Sequence, residues 1–327
     1  MNKQQNTNSS FKSDVKHLTW PLRLFVAAMD GLDQLMPQVT SRLMLAKFVA
    51  PRRKKNGRYT SRLPAGAARL AAQHNNLTLT GWCWDGDGPA VLVVHGWESH
   101  TGRMVPLIKA LLAHGCRIFA LDAPGHGMSP QANTHLQDVG EAIRAMIEQH
   151  GPFHGIVAHS FGAAATAVML SRHPELMPDK LVFLSPMRDL AQHLDIFAAV
   201  AQLTPARKER LQELVRQRLG LSFEDCSTVA AVRTFSRPGL VIHDQNDRLI
   251  PHAVGEEIAR NWAGTRFVST SHLGHRRGLS CQQVVSHITD YLADSVVRKT
   301  AVSRSIPAPS TSSRPRRSFG TAVTAMS

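Results

Sequence analysis

The chemistry-bearing residues of this chain sit where apolar runs give way to loops. In Ala158-His159-Ser160-Phe161-Gly162 a serine follows a five-residue strand candidate and precedes a stretch rich in alanine. A strand that turns sharply into a helix at a serine lifts the hydroxyl clear of the sheet as a nucleophile. Such a turn needs small residues two positions before and after the serine, and Ala158 and Gly162 meet that need. It also aims the next backbone N–H, that of Phe161, at an oxyanion. Upstream, Val91-Leu92-Val93-Val94-His95-Gly96-Trp97 is a buried-type strand ending in His-Gly. A backbone that turns there can offer the Trp97 N–H as a second oxyanion donor.

A serine nucleophile needs a base and a group to orient the base, and both candidates follow in chain order. Leu240-Val241-Ile242-His243 reads as a strand, and the loop Asp244-Gln245-Asn246-Asp247 closes at Pro251. Asp247 is the first candidate for the acid and Asp244 the second. Further on, Ser271-His272-Leu273-Gly274-His275-Arg276 offers two histidines. The freedom of Gly274 just before His275 favours His275 over His272 as the base. Glu98 and Arg103, beside the oxyanion turn, either brace that loop or touch substrate.

The elements that position these groups are short apolar strands alternating with helical stretches, a pattern of a mainly parallel sheet flanked by helices. Strands are expected at Leu77–Trp84, Ala90–His95, Arg117–Asp122, Gly155–His159, Leu181–Ser185, Leu240–His243 and Arg266–Val268. Helical periodicity falls at 103–114, 136–150, 161–172, 253–263 and 281–293. Residues 187–238 break the rhythm with two amphipathic helical patterns and no clear strand, which predicts an inserted helical cap. Ahead of the sheet, apolar spacing from Pro21 to Met36 and again from Gln38 to Phe48 predicts two leader helices.

Taken together, VLVVHGW, LDAPGHGMS, AHSFGAA, LVIHDQNDRLIP and HLGHRR resemble the successive signatures of the α/β-hydrolase family. More narrowly, the chain resembles bacterial serine hydrolases with HGWE after the oxyanion strand and GHRR at the base. The resemblance spans roughly residues 75–295. It implies an α/β-hydrolase fold with a small cap, Ser160 as nucleophile, His275 as base, Asp247 as acid, and Trp97 and Phe161 as oxyanion donors. Two positions depart from it: Ala158 stands where glycine is usual, and Asp244 where many members have glycine. The dehalogenase and epoxide-hydrolase branches carry an aspartate at the nucleophile position, so a serine favours acyl transfer. The reading is therefore a hydrolase of carboxylic esters or related acyl compounds, without cofactor. An acyltransferase on the same triad and a non-catalytic binding protein of the same fold are the alternatives.

Composition limits the partners. The 327 residues carry 38 Lys+Arg against 24 Asp+Glu, a net charge of +14. The excess lies at the ends: residues 1–63 and 295–327 hold 18 of the basic residues and three acidic ones. Positions 64–294 balance 20 basic against 21 acidic residues, so the catalytic region has no footprint for nucleic acid. The basic ends are expected to give at most weak contact with an anionic membrane or polyanion. The chain thus divides into a basic leader (1–63), a hydrolase domain (64–294) and a polar basic tail (295–327) expected to be disordered. Four scattered cysteines without C-x-x-C spacing predict reduced thiols, and with no secretory signal visible the expected compartment is the cytoplasm. No metal-ligand spacing, P-loop or dinucleotide fingerprint occurs.

Overall fold

The computed structural model describes residues 31–52 and 57–302. The leader helix from Pro21 therefore lies mostly outside the described residues, as do the polar start, most of the basic run Arg52–Lys55, and the tail from 303 onward.

Eight strands form one sheet: β1 (Ala68–His74), β2 (Leu77–Trp84), β3 (Ala90–Val94), β4 (Arg117–Leu121), β5 (Gly155–His159), β6 (Lys180–Leu184), β7 (Leu240–Asp244) and β8 (Arg266–Thr270). Their order is β1-β2-β4-β3-β5-β6-β7-β8. From β4 to β8 every pairing is parallel, while β1–β2 and β2–β4 are antiparallel. Strand β1 is absent from the sequence expectations. Its residues, ARLAAQH, carry little apolar signal because it is the sheet's edge and only Ala72 and His74 are buried. Asn75, at φ 50, turns the chain from β1 into β2.

Period-two alternation sorts the central strands between two cores. Leu92, Val94, Ala158 and Phe183 face one, and Val91, Val93, Val157 and Val182 face the other. Helices cover both faces: α2 (Val105–Ala113), α3 (Leu136–His150), α4 (Phe161–Arg172) and α8 (His252–Asn261) between strands, and after β8 the first turns of α10 (Gln282–Val302), through Val284, Ile288 and Leu292. Helix α10 runs past position 295, where the charge pattern places the start of the tail.

The expected cap is present between β6 and β7, with three helices rather than two: α5 (Leu190–Val200), α6 (Pro205–Leu219) and the short α7 (Thr228–Val232). Its neck is closed by the Asp189–Ser227 bridge and by hydrogen bonds from the Leu190 and Thr228 N–H groups to Cys226 and Arg188. Helix α1 (Pro37–Phe48), in the basic leader, is built into this body. Met44, Phe48 and Val49 are buried in the first core, and Phe48 packs against His193 and Phe197 of α5. Asp33 holds the cap from the same side. It pairs with Arg207 (2.9 Å) and Arg210 (2.6 Å) of α6 and lies well below the ordinary carboxylate range, at about 2. Burial there favours the neutral acid, but hydrogen bonds from Thr40, Arg207 and Arg210 prevail.

Candidate active site

In a sheet of this topology the crevice opens where neighbouring connections diverge, at the carboxyl ends of the strands. Here that point is β3 and β5: the chain leaves β3 toward β4 on one side and arrives at β5 on the other. Ser160 follows β5, and His95-Gly96-Trp97 follows β3. Ser160 has φ 56 and ψ −121, a conformation that costs a non-glycine residue on the order of 1–3 kcal/mol and persists because the surroundings impose it. Its N–H bonds to the Leu184 carbonyl, and its own carbonyl accepts from the N–H of Ala163. Two residues on, a Cβ at Gly162 would stand 2.3 Å from the His95 carbonyl oxygen, so only glycine lets α4 start this close to β3. Alanine at 158 is accommodated, fully buried in the first core.

The loops after β7 and β8 bring Asp247 and His275 to the same crevice. His275 Nε2 is 2.9 Å from Ser160 Oγ, and its Nδ1 is 2.8 Å from Asp247 Oδ2. With the carboxylate on Nδ1, that nitrogen carries the hydrogen and Nε2 is left as the acceptor facing the serine hydroxyl. Asp247 also accepts the N–H groups of Leu249 and Ile250 at 2.9 and 3.0 Å. Burial pushes its carboxyl toward the neutral form, but hydrogen bonds from His243, His275 and Ile250 hold it well below the usual carboxylate range.

The two alternative residues stand elsewhere. Asp244 faces backbone rather than imidazole: it accepts from the N–H groups of Leu273 (3.1 Å), Gly274 (2.8 Å) and Asn246 (3.0 Å) and from the Thr270 hydroxyl (2.9 Å). It thus fixes the loop that carries His275. His272 is exposed, with its N–H on Asn246.

Phe161 opens α4, so its N–H lies outside the helix's own ladder. The Gly96 turn presses on Ser160, where a Cβ at Gly96 would lie 3.1 Å from the serine Cβ. The Trp97 and Phe161 rings pack 5.0 Å apart, and His193 of the cap contacts both at 4.9 Å. Buried histidines hold this turn. His126 accepts the Glu98 N–H and donates to the Pro124 carbonyl, while His95 accepts the Ala123 N–H and donates to the Gly96 carbonyl. One donor and one acceptor each make both rings neutral, and burial lowers both pKa values, that of His126 to about 3. Glu98 accepts two hydrogen bonds from the Arg52 guanidinium, at 2.8 and 2.9 Å, and a third from the Arg52 main-chain N–H at 3.2 Å, which brace the loop.

Sequence reasoning missed His159. Its Nε2 donates to the main-chain carbonyl of His275 at 3.0 Å, and burial pushes its pKa down to about 3. Position beside Ser160 was the only available signal, because its partner lies 116 residues away. Among the described residues no group of three or more His, Cys, Asp or Glu is placed to hold a metal ion. None of their helices is long and apolar enough to cross a membrane.

The sheet has the strand order and the crevice of the α/β-hydrolase fold, and comparison with known proteins agrees. Residues 88–221 match the family described as serine aminopeptidase, S33. A pimeloyl-[acyl-carrier protein] methyl ester esterase of Xanthomonas campestris pv. campestris (strain B100) is 29% identical over 205 residues, covering 51% of this chain and 80% of its own. The enzyme of that name from Chromobacterium violaceum is 27% identical over 187 residues, covering 55% and 72%. A Pyrococcus furiosus esterase shares the fold with a TM-score of 0.56 at 19% identity, over 75% of this chain and 97% of that one. The chain has the α/β-hydrolase fold, and its sequence is similar to this family over residues 88–221.

Proposed function

We propose that the enzyme cleaves carboxylic esters through an acyl-enzyme on Ser160. His275 Nε2 takes the hydroxyl proton as Oγ attacks the ester carbonyl carbon. Asp247 stabilises the imidazolium, and the Trp97 and Phe161 amides receive the tetrahedral oxyanion. Collapse of that intermediate breaks the carbon–oxygen bond, and His275 returns the proton to the leaving alcohol. Water, activated by the same imidazole, then attacks the acyl-enzyme and releases the acid. The observation that carries the reading is the unbroken hydrogen-bonded line from Ser160 Oγ through His275 to Asp247, at 2.9 and 2.8 Å. The named activity of the Xanthomonas and Chromobacterium relatives supports a carboxylic ester as the substrate class.

The test is hydrolysis of 4-nitrophenyl esters of graded chain length by the full chain and by Ser160→Ala, with products analysed in the presence of added alcohol. Turnover lost in Ser160→Ala, with free acid as the main product, is the expected result. A dominant transferred ester would instead make the enzyme an acyltransferase. Turnover retained in Ser160→Ala would refute the reading.

A further inference from the structure

An open groove of about 820 Å³ runs beside His275, on the surface formed by the loops after β7 and β8. Arg248, Arg276 and Arg277 line it together with His272 and Asn246, and no acidic side chain does. Several cations elsewhere on the body are matched to carboxylates, as in Arg52–Glu98, Arg188–Glu257 and Arg237–Asp179. Arg276 and Arg277 have no acidic partner among the described residues. Arg277 is nonetheless held in place: its guanidinium donates to the carbonyls of Leu273 (2.8 Å) and His272 (2.6 Å). Arg276 is the residue after the base, on the short turn of helix α9 (Gly274–Arg277), and it is exposed.

Positions 64–294 are close to neutral overall, so this is a local concentration of positive charge at the reacting end of the molecule. Guanidinium groups recognise carboxylate and phosphate through paired, charge-assisted hydrogen bonds. A groove lined by one sign of charge also concentrates ligands of the other. We propose that this groove is an anion subsite, and that the preferred substrate is an ester bearing a carboxylate or phosphate a few bonds from the carbonyl that Ser160 attacks. The proposal rests on Ser160 as the nucleophile.

Its test compares 4-nitrophenyl hydrogen glutarate with the uncharged 4-nitrophenyl valerate on the full chain. The expected kcat/KM ratio at low salt is about tenfold in favour of the anionic ester, shrinking at high salt as screening predicts. Arg276→Gln should bring the ratio close to one, Arg276→Lys should keep most of it, and Arg276→Glu should invert it. Glutarate and inorganic phosphate, tried as competitive inhibitors of valerate hydrolysis, tell a carboxylate-reading site from a phosphate-reading one by which binds more tightly. Calorimetric binding of the same two esters to Ser160→Ala separates the two ideas. Binding preference for the anionic ester together with turnover retained in Ser160→Ala would overturn only the nucleophile assignment. Equal binding and equal kcat/KM in the native chain, or a ratio unmoved by Arg276→Gln, would overturn the subsite.

Discussion

The imidazole of His159 donates through Nε2 to the main-chain carbonyl of His275, 3.0 Å away, so the residue before Ser160 holds the loop that presents His275. The rings of the two histidines lie 4.9 Å apart, and His159 is buried. The distance from Ser160 Oγ to His275 Nε2 is therefore set from both sides of the crevice.

His159→Phe keeps the ring volume and removes the donor. It should lower kcat about tenfold with little change in KM, because small displacements of a reacting group are costly in rate. His159→Gln, which retains an N–H donor, should recover part of the loss, and the kcat/KM–pH profile should move in the Phe variant alone. Equal kcat in His159→Phe and the native enzyme would remove the positioning role.

The two loop aspartates should separate by what they hold. Asp247→Asn leaves the imidazole without its carboxylate and should lower kcat by about three to four orders of magnitude while the fold survives. Asp244→Asn disturbs acceptors for three backbone N–H groups and the Thr270 hydroxyl. It should lower urea stability by roughly 1–3 kcal/mol, with a smaller kinetic loss. Equal kinetic effects of the two substitutions would contradict this division.

Stability should fall with acid before the carboxylates titrate. Burial lowers the pKa of His126 and His159 to about 3 and that of His193 to about 4, so the native state keeps these rings neutral. The unfolded chain protonates them near pH 6.5. Below that pH it binds more protons than the native state, and stability is lost progressively down to the folded pKa values. Each histidine contributes roughly 1 kcal/mol per pH unit in that window. Asp247 acts in a lower window. Its depressed folded pKa gives stability present above the unfolded value near 4 and lost as pH falls toward the folded one. Urea unfolding at pH 7.5 and 5.5 should show a lower midpoint at 5.5, and equal midpoints would contradict the neutral-histidine account.

The leader should matter to the fold. Phe48→Ala removes a buried ring packed on His193 and Phe197 and should cost about 3–5 kcal/mol, read as a lowered urea midpoint. An unchanged midpoint would show that α1 is dispensable.

How much of this was legible depended on where each partner lies in the chain. The meeting of Ser160, Asp247 and His275 in one crevice was legible because each follows a strand, and strand ends are where such a sheet gathers its loops. The choice between Asp247 and Asp244 was not settled by the sequence. Both sit in one four-residue loop, and only the folded loop shows that Asp247 meets the imidazole and Asp244 the backbone. His159, His193 and the Asp33–Arg207 pair were hidden because their roles arise from contacts between distant segments. Strand β1 was hidden because an edge strand of alanine, arginine and glutamine carries little hydrophobic alternation. The docking of α1 was legible, because Met44 and Phe48 recur at the spacing of one helix face and both are buried in the core.

The central claim is that Ser160 is the activated nucleophile, and labelling by a fluorophosphonate measures it most directly. The full chain should take up one probe per molecule, mapped by peptide mass spectrometry to Ser160 and absent in Ser160→Ala. Labelling should also slow by orders of magnitude in His275→Ala. No labelling of the folded chain, or equal labelling in Ser160→Ala, would contradict the account.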